Sequence, residues 1–203
     1  GVEAAVRRFV GMFAIALWDA ERRALTLARD RLGIKPLFIF ARGGVVAFGS
    51  ELKALAPHPE FDGALDRDAV ASFLRYLYVP APRSIYRSVR KLLPGHLLTI
   101  TDPSADLPAS VPYWSAEDAA VRGAAGPFEG SDAEAVGELE RLLSEAVALR
   151  MIADVPLGAL LSGGIDSSTV VALMQAASTR PVKTYTIAFD EPAFDEARHA
   201  AAV

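Results

Sequence analysis

The sequence predicts two units of different class: an antiparallel α+β domain, then the start of a parallel-sheet α/β domain. Charge is split between them, with 15 basic and 11 acidic side chains in residues 1–110 and 6 and 14 in residues 111–203. Between the halves, residues 102–130 are rich in Pro, Ala, Gly and Ser, and Pro103, Pro108, Pro112, Gly123, Gly126 and Pro127 are expected to spoil any regular element. The apolar pattern also changes, from short runs separated by turns to helical-period stretches around one nearly continuous run. These shifts place a first domain at 1–115, a linker at 116–130 and a second domain at 131–203.

In the first domain, apolar runs at 11–18, 24–28, 37–40 and 45–48 alternate with turn-like pieces at 19–23, 31–36 and 42–44. Runs at that spacing read as antiparallel strands. Residues 50–55 and 66–76 read as helices. Asp66 is the predicted N-cap of the second, whose stripe of Val70, Phe73, Leu74 and Leu77 is expected to be buried. Residues 97–101, after Pro94-Gly95, supply a further strand.

The second domain opens on Ser131-Asp132-Ala133-Glu134, a capping-box pattern in which hydroxyl and carboxylate each satisfy an orphan N–H. Val136, Leu139, Leu142, Leu143, Ala146, Val147 and Met151 then recur at helical spacing, predicting one buried face. Residues 155–161 form an apolar run that fits a strand buried on both faces. A helix at 167–177 presenting Val170, Val171 and Met174, ended by Pro181, and a strand at 182–189 complete a βαβ unit. That unit implies a parallel sheet with a right-handed crossover.

At 203 residues and 52% hydrophobic composition the chain can bury a real core. With no cysteine it encodes no disulfide, thiolate metal site or thiol nucleophile. The apolar stretch at 12–18 is far shorter than the roughly 20 residues that span a bilayer, so a soluble, cytoplasmic protein without a membrane partner is expected. The chain opens at Gly1 and reads like mid-domain sequence by Phe13, so it is expected to be part of a longer protein.

The segment with a chemical signature is Leu160-Leu161-Ser162-Gly163-Gly164-Ile165-Asp166-Ser167-Ser168, between a predicted strand and a helix N-terminus. Paired glycines let the backbone approach an anion, first-turn N–H groups point at it, and the helix dipole favours negative charge there. Ser162, Ser167 and Ser168 add hydroxyl donors. Asp166 would repel phosphates unless a cation lay between, which argues for bridging Mg²⁺. Gly163-Gly164 alone would read as a tight turn with Ser and Asp capping a helix. The combination in a strand-to-helix context favours a metal-bound polyphosphate, and it is neither a Walker A loop nor a dinucleotide fingerprint.

Residues 162–168 resemble the SGG(L/I/V)DSS pyrophosphate loop of the N-type ATP pyrophosphatases. The preceding Asp154-Val155-Pro156-Leu157-Gly158-Ala159-Leu160-Leu161 resembles the version in glutamine-hydrolysing asparagine synthetases. Independently, Gly11-Met12-Phe13-Ala14-Ile15-Ala16-Leu17-Trp18-Asp19, the run from Arg29 to Leu37, Ser50-Glu51-Leu52-Lys53-Ala54-Leu55 and Leu93-Pro94-Gly95-His96 are similar to successive landmarks of that family's class II glutaminase domain. The resemblance spans Gly11 to about Asp195.

It implies the C-terminal part of an antiparallel α+β N-terminal nucleophile hydrolase (glutaminase) domain, followed by the start of a parallel-sheet α/β ATP pyrophosphatase domain. It further implies a ligase of asparagine biosynthesis. ATP with Mg²⁺ would adenylate aspartate with release of pyrophosphate, and ammonia from glutamine would attack the activated carbonyl. Ser162, Gly163, Gly164, Asp166 and Ser167 would hold the phosphates, Asp166 would bind Mg²⁺, and Leu160 and Ile187 match positions that contact adenosine. The family's N-terminal Cys, its glutamine-binding motifs, second ATP loop and aspartate-binding residues match nothing in these 203 residues, so by itself the chain is expected to perform neither half-reaction. Two other readings stay open: a relative activating another carboxylate, as in β-lactam synthetases, and a non-catalytic nucleotide-binding or assembly module. Homo-oligomerisation is left open.

Other residues read more plainly. Arg29-Asp30 with Gly33 and Pro36 is expected to be a turn with a local ion pair. Residues 50–53 read as a helix start, and Asp195 and Glu196 as helix-start charges. His58, His96 and His199 lack metal-ligand spacing. Arg83, Arg87, Arg90 and Lys91, interleaved with Tyr76, Tyr78 and Tyr86, read as a solvated basic edge rather than a nucleic-acid surface.

Overall fold

Apolar and turn segments of the first domain fold into two antiparallel sheets. The computed structural model describes residues 1–191 and 193–203 and divides into units Gly1–Gly126 and Pro127–Val203. In the first unit, β1 (Ala14–Asp19), β2 (Ala24–Arg29), β6 (His96–Ile100) and β7 (Val111–Pro112) pair in that order. The other sheet runs β4 (Val45–Gly49), β3 (Phe38–Arg42) and β5 (Arg90–Lys91). Gly43 and Gly44 join β3 to β4 with φ of 59° and 77°, the positive pair that a tight hairpin turn matched to strand twist requires.

Period-2 alternation sorts the strand residues into layers. Leu27, Leu98 and Ile100 meet Ile39 and Leu37 in a core shared by the two sheets. Their neighbours Ala28 and Leu97 face the other way, onto Tyr113 and onto Val6 of helix α1 (Val2–Val6). Phe40 turns oppositely from Ile39, to Val89 and to Leu55 of α2 (Leu52–Leu55). The predicted helix at 50–55 is shorter than expected because Glu51 is extended.

Helix α3 (Arg67–Tyr76) begins at Asp66, which accepts from Asp68 N and Ala69 N. Its predicted stripe is not buried: Phe73, Leu74 and Leu77 are exposed, and Ala69 is the residue that packs inward. The predicted linker is not irregular either. Residues Ala116–Ala125 form α4, started by the Ser115 hydroxyl accepting from Asp118 N, with Gly123 tolerated inside.

In the second unit, α5 (Asp132–Arg150) carries the reciprocal Ser131/Glu134 capping box. Its apolar face packs partly on α6 (Ile165–Ala176), but no residue of α5 is buried, contrary to expectation. Strand β8 (Gly158–Leu160) pairs in parallel with β9 (Lys183–Tyr185) across α6. Both are shorter than predicted, and β8 is exposed rather than covered on two faces. No helix among the described residues is long and apolar enough to cross a membrane.

Candidate functional site

The loop that leaves β8 is anchored from the neighbouring strand: Leu161 N donates to Tyr185 O at 2.9 Å, and Thr186 Oγ1 donates to Leu161 O at 2.7 Å. Gly163 follows with φ of +78°, where an added Cβ would lie only 2.4 Å from the carbonyl carbon of His199. Glycine is therefore demanded twice, by the left-handed backbone and by the segment of α7 (Ala197–Ala200) packed against the loop. Gly164 is the N-cap of α6 and no side chain caps it. The first-turn N–H groups of α6 thus lack the usual side-chain acceptor.

Hydroxyls gather at this helix start. Ser162 and Ser167 share a hydrogen bond of 3.0 Å, Gly164 N donates to Ser162 Oγ at 3.4 Å, and Ser167 Oγ donates to Gly164 O at 3.3 Å. Ser168 Oγ is shielded from solvent and has no hydrogen-bond partner among the described residues. A shielded hydroxyl left unpaired is costly and suits an acceptor that arrives with a ligand.

Asp166 lies in the same first turn, exposed and without an ion pair among the described residues. No group of three or more His, Cys, Asp or Glu suited to a metal occurs among the described residues. A single carboxylate is a donor set that fits Mg²⁺ only together with phosphate oxygens, since that ion takes one or two carboxylates rather than an all-protein cage. Leu160 ends β8 and is 76% exposed. Ile187, expected on the next strand, instead lies two residues beyond β9, beside Thr186 that ties that segment to the loop.

The expected Arg29–Asp30 ion pair is replaced by main-chain bonding. Asp30, only 1% exposed, accepts from Phe13 N, Ile34 N and Lys35 N, while Arg29 donates to Lys35 O, Leu92 O and Gly33 O. Burial pushes the Asp30 carboxyl up, but the backbone donors outweigh it and hold its pKa below the ordinary value. This cluster shapes the 30–36 loop; a buried role for both charges had no signal in the sequence.

An antiparallel two-sheet domain followed by a strand, glycine loop and uncapped helix defines a two-part protein with a candidate phosphate cradle in its second part. Residues 1–114 match the glutamine amidotransferase domain family, and residues 138–203 match the asparagine synthase family. The chain is 31% identical over 186 residues to asparagine synthetase [glutamine-hydrolyzing] 3 of Bacillus subtilis, covering 89% of this chain. It is 39% identical over 196 residues to a putative asparagine synthetase [glutamine-hydrolyzing] of Mycobacterium bovis, covering 94%. Amidase chyE of Penicillium rubens is 33% identical over 199 residues, covering 89%. The chain belongs to the glutamine-hydrolysing asparagine synthetase family. It spans 29% of the length of the first two relatives.

Proposed function

We propose that the chain supplies the phosphate-binding part of an ATP-dependent asparagine synthetase, with a glutaminase segment at 1–115, a linker at 116–130 and the start of a parallel-sheet ATP pyrophosphatase domain at 131–203. The observation that carries this reading is the uncapped start of α6 beside the unpaired Ser168 hydroxyl. Gly163 and Gly164 let main-chain N–H groups approach the phosphates of ATP, and Ser162 and Ser167 donate to them. Asp166 would hold Mg²⁺, which supplies charge neutralisation on the phosphate oxygens. Leu160 and Ile187 offer apolar contact to the adenosine part. In this reading the longer protein is a cytoplasmic ligase. It activates aspartate as the aspartyl adenylate with release of pyrophosphate and amidates it with ammonia from glutamine. The 203-residue chain, which has no thiol nucleophile, performs neither half-reaction alone.

Titration calorimetry with ATP and Mg²⁺ tests the loop. Saturable binding that falls at least about tenfold in Asp166→Asn supports it, and binding indifferent to Asp166 refutes the metal assignment. In a second reading the same loop activates a carboxylate other than aspartate. Pyrophosphate release by the longer protein separates the two: dependence on aspartate supports the first, and indifference to aspartate the second.

A further inference from the structure

The segment 82–91 separates two clefts on the first unit. One, about 360 Å³, is lined by Phe38, Phe73, Tyr78 and Ile85. The other, about 400 Å³, is lined by Asp66, Arg83, Ser84, Tyr86, Arg87 and Arg90. The three arginines of the sequence stretch therefore line one cleft, while Lys91 joins Tyr78 in the other. Single-stranded nucleic acid needs several aromatic platforms beside its phosphate contacts, and among the described residues Tyr86 is the one aromatic that lines the arginine cleft.

Three arginines line this cleft beside one acidic residue. That carboxylate, Asp66, is already engaged by Asp68 N and Ala69 N at the start of α3. Arg83 reaches Asp68 at 3.3 Å in a half-exposed pair. Arg87 Nε donates to Leu65 O at 2.9 Å, which fixes its stem and leaves its terminal amino groups without a partner among the described residues. Arg90 makes no side-chain hydrogen bond or ion pair among the described residues.

Backbone pairing sharpens the conflict, because Arg83 and Arg90 are direct partners in an antiparallel bridge. Like charges placed opposite one another destabilise such a pair. The main chain nevertheless holds them there: Lys91 N donates to Pro82 O at 2.7 Å, and the Ser84 hydroxyl, on a residue 2% exposed, bonds both N and O of Tyr86. A second bridge joins Leu65 to Tyr86.

We propose that Arg83, Arg87 and Arg90 form a binding site for a small polyvalent oxyanion of the phosphate class. A phosphoryl group presents three oxygens to forks approaching from different sides, whereas a carboxylate presents two and is satisfied by one fork. The cleft volume admits a pyrophosphate or the phosphate tail of a nucleotide. This assignment does not rest on the reading of the 162–168 loop.

The test is a metal-free titration of the whole ¹⁵N-labelled chain with inorganic pyrophosphate, read at individual amides. Saturable shifts at Ser84, Tyr86, Arg87 and Arg90 with a midpoint below about 10 mM are expected. Arg90→Ala should weaken them at least about tenfold while leaving any shifts at 162–168 unchanged, and Arg87→Lys, which keeps charge but loses the fork, should weaken them about threefold. Without ligand, Arg90→Ala should melt no lower than the parent, since a repulsion is removed. An ATP arm identifies the source: a midpoint equal to that of pyrophosphate marks the phosphoryl group itself, and one about tenfold tighter marks a nucleotide. Linear shifts reproduced by chloride would mean an adventitious ion only and overturn the proposal. Saturable shifts at 84–90 that survive Arg90→Ala overturn it as well.

Discussion

Arg29 and Asp30 are adjacent, oppositely charged and buried, yet each is satisfied by main chain rather than by the other. The guanidinium closes on three carbonyls and the carboxylate on three N–H groups, while Gly95 N donates to Asp30 O and Tyr113 Oη donates to Arg29 O. One dipeptide thereby joins the start of β1, the 31–36 loop and the turn before β6.

Asp30→Asn should cost about 2–4 kcal/mol, because an amide oxygen replaces one carboxylate oxygen and its NH₂ faces backbone donors. Arg29→Lys should cost a similar amount, since an ammonium cannot reproduce the planar fork to Lys35, Leu92 and Gly33. Urea unfolding at pH 7 measures both. A loss under about 0.5 kcal/mol would show that the cluster does not hold the fold.

The same carboxylate sets a pH dependence. Its folded pKa lies below the ordinary value. Its contribution is therefore complete above the unfolded value, near pH 4, and is lost as pH falls through the lower folded value. The stability gap between the parent and Asp30→Asn should be widest at neutral pH and should shrink below about pH 4. Unfolding curves at pH 7, 5 and 3 check the sign.

Much of the first domain was legible because its central strands β2, β3 and β6 lie between two packed layers. Leu27 and Ala28, or Ile39 and Phe40, go to opposite cores, so both faces leave an apolar trace at period 2. Helix periodicity tells which residues share a face but not whether anything covers it. That is why Leu74 and Leu77 in the first unit, and Val136 and Leu139 in the second, match the pattern and remain exposed. Helix α4 was hidden by Gly123 and the nearby prolines, although Ser115 and Asp118 carry a capping signal. The 162–168 loop is contiguous and could be read directly. The opposition of Arg83 and Arg90 and the packing of His199 on Gly163 depend on register and tertiary contact, which no local pattern encodes.

Gly163 and Gly164 should respond differently to alanine. At Gly163 the positive φ and a Cβ 2.4 Å from the His199 carbonyl carbon force a shift of the loop or of α7. Gly163→Ala should cost about 1–3 kcal/mol and weaken binding of ATP with Mg²⁺ at least about tenfold. Gly164 has φ of −74°, and its nearest neighbour to an added Cβ is Ser162 Oγ at 3.5 Å, an ordinary contact. Gly164→Ala should fold like the parent. Thermal melts and calorimetry on both variants check the contrast, and equal damage would argue against the α7 constraint.

Ser168→Ala should move stability and binding in opposite directions. In the free chain the shielded hydroxyl has no partner among the described residues, so its removal relieves an unsatisfied polar atom and places a better helix former in α6. The variant should unfold at the same or a higher urea concentration, by up to about 1 kcal/mol. If that hydroxyl waits for a phosphate oxygen, binding of ATP with Mg²⁺ should weaken about three- to tenfold in the same protein. A purely structural serine would produce no such loss, and a serine already paired inside the protein would produce no gain in stability. Only a group held unpaired for an incoming acceptor gives both signs at once.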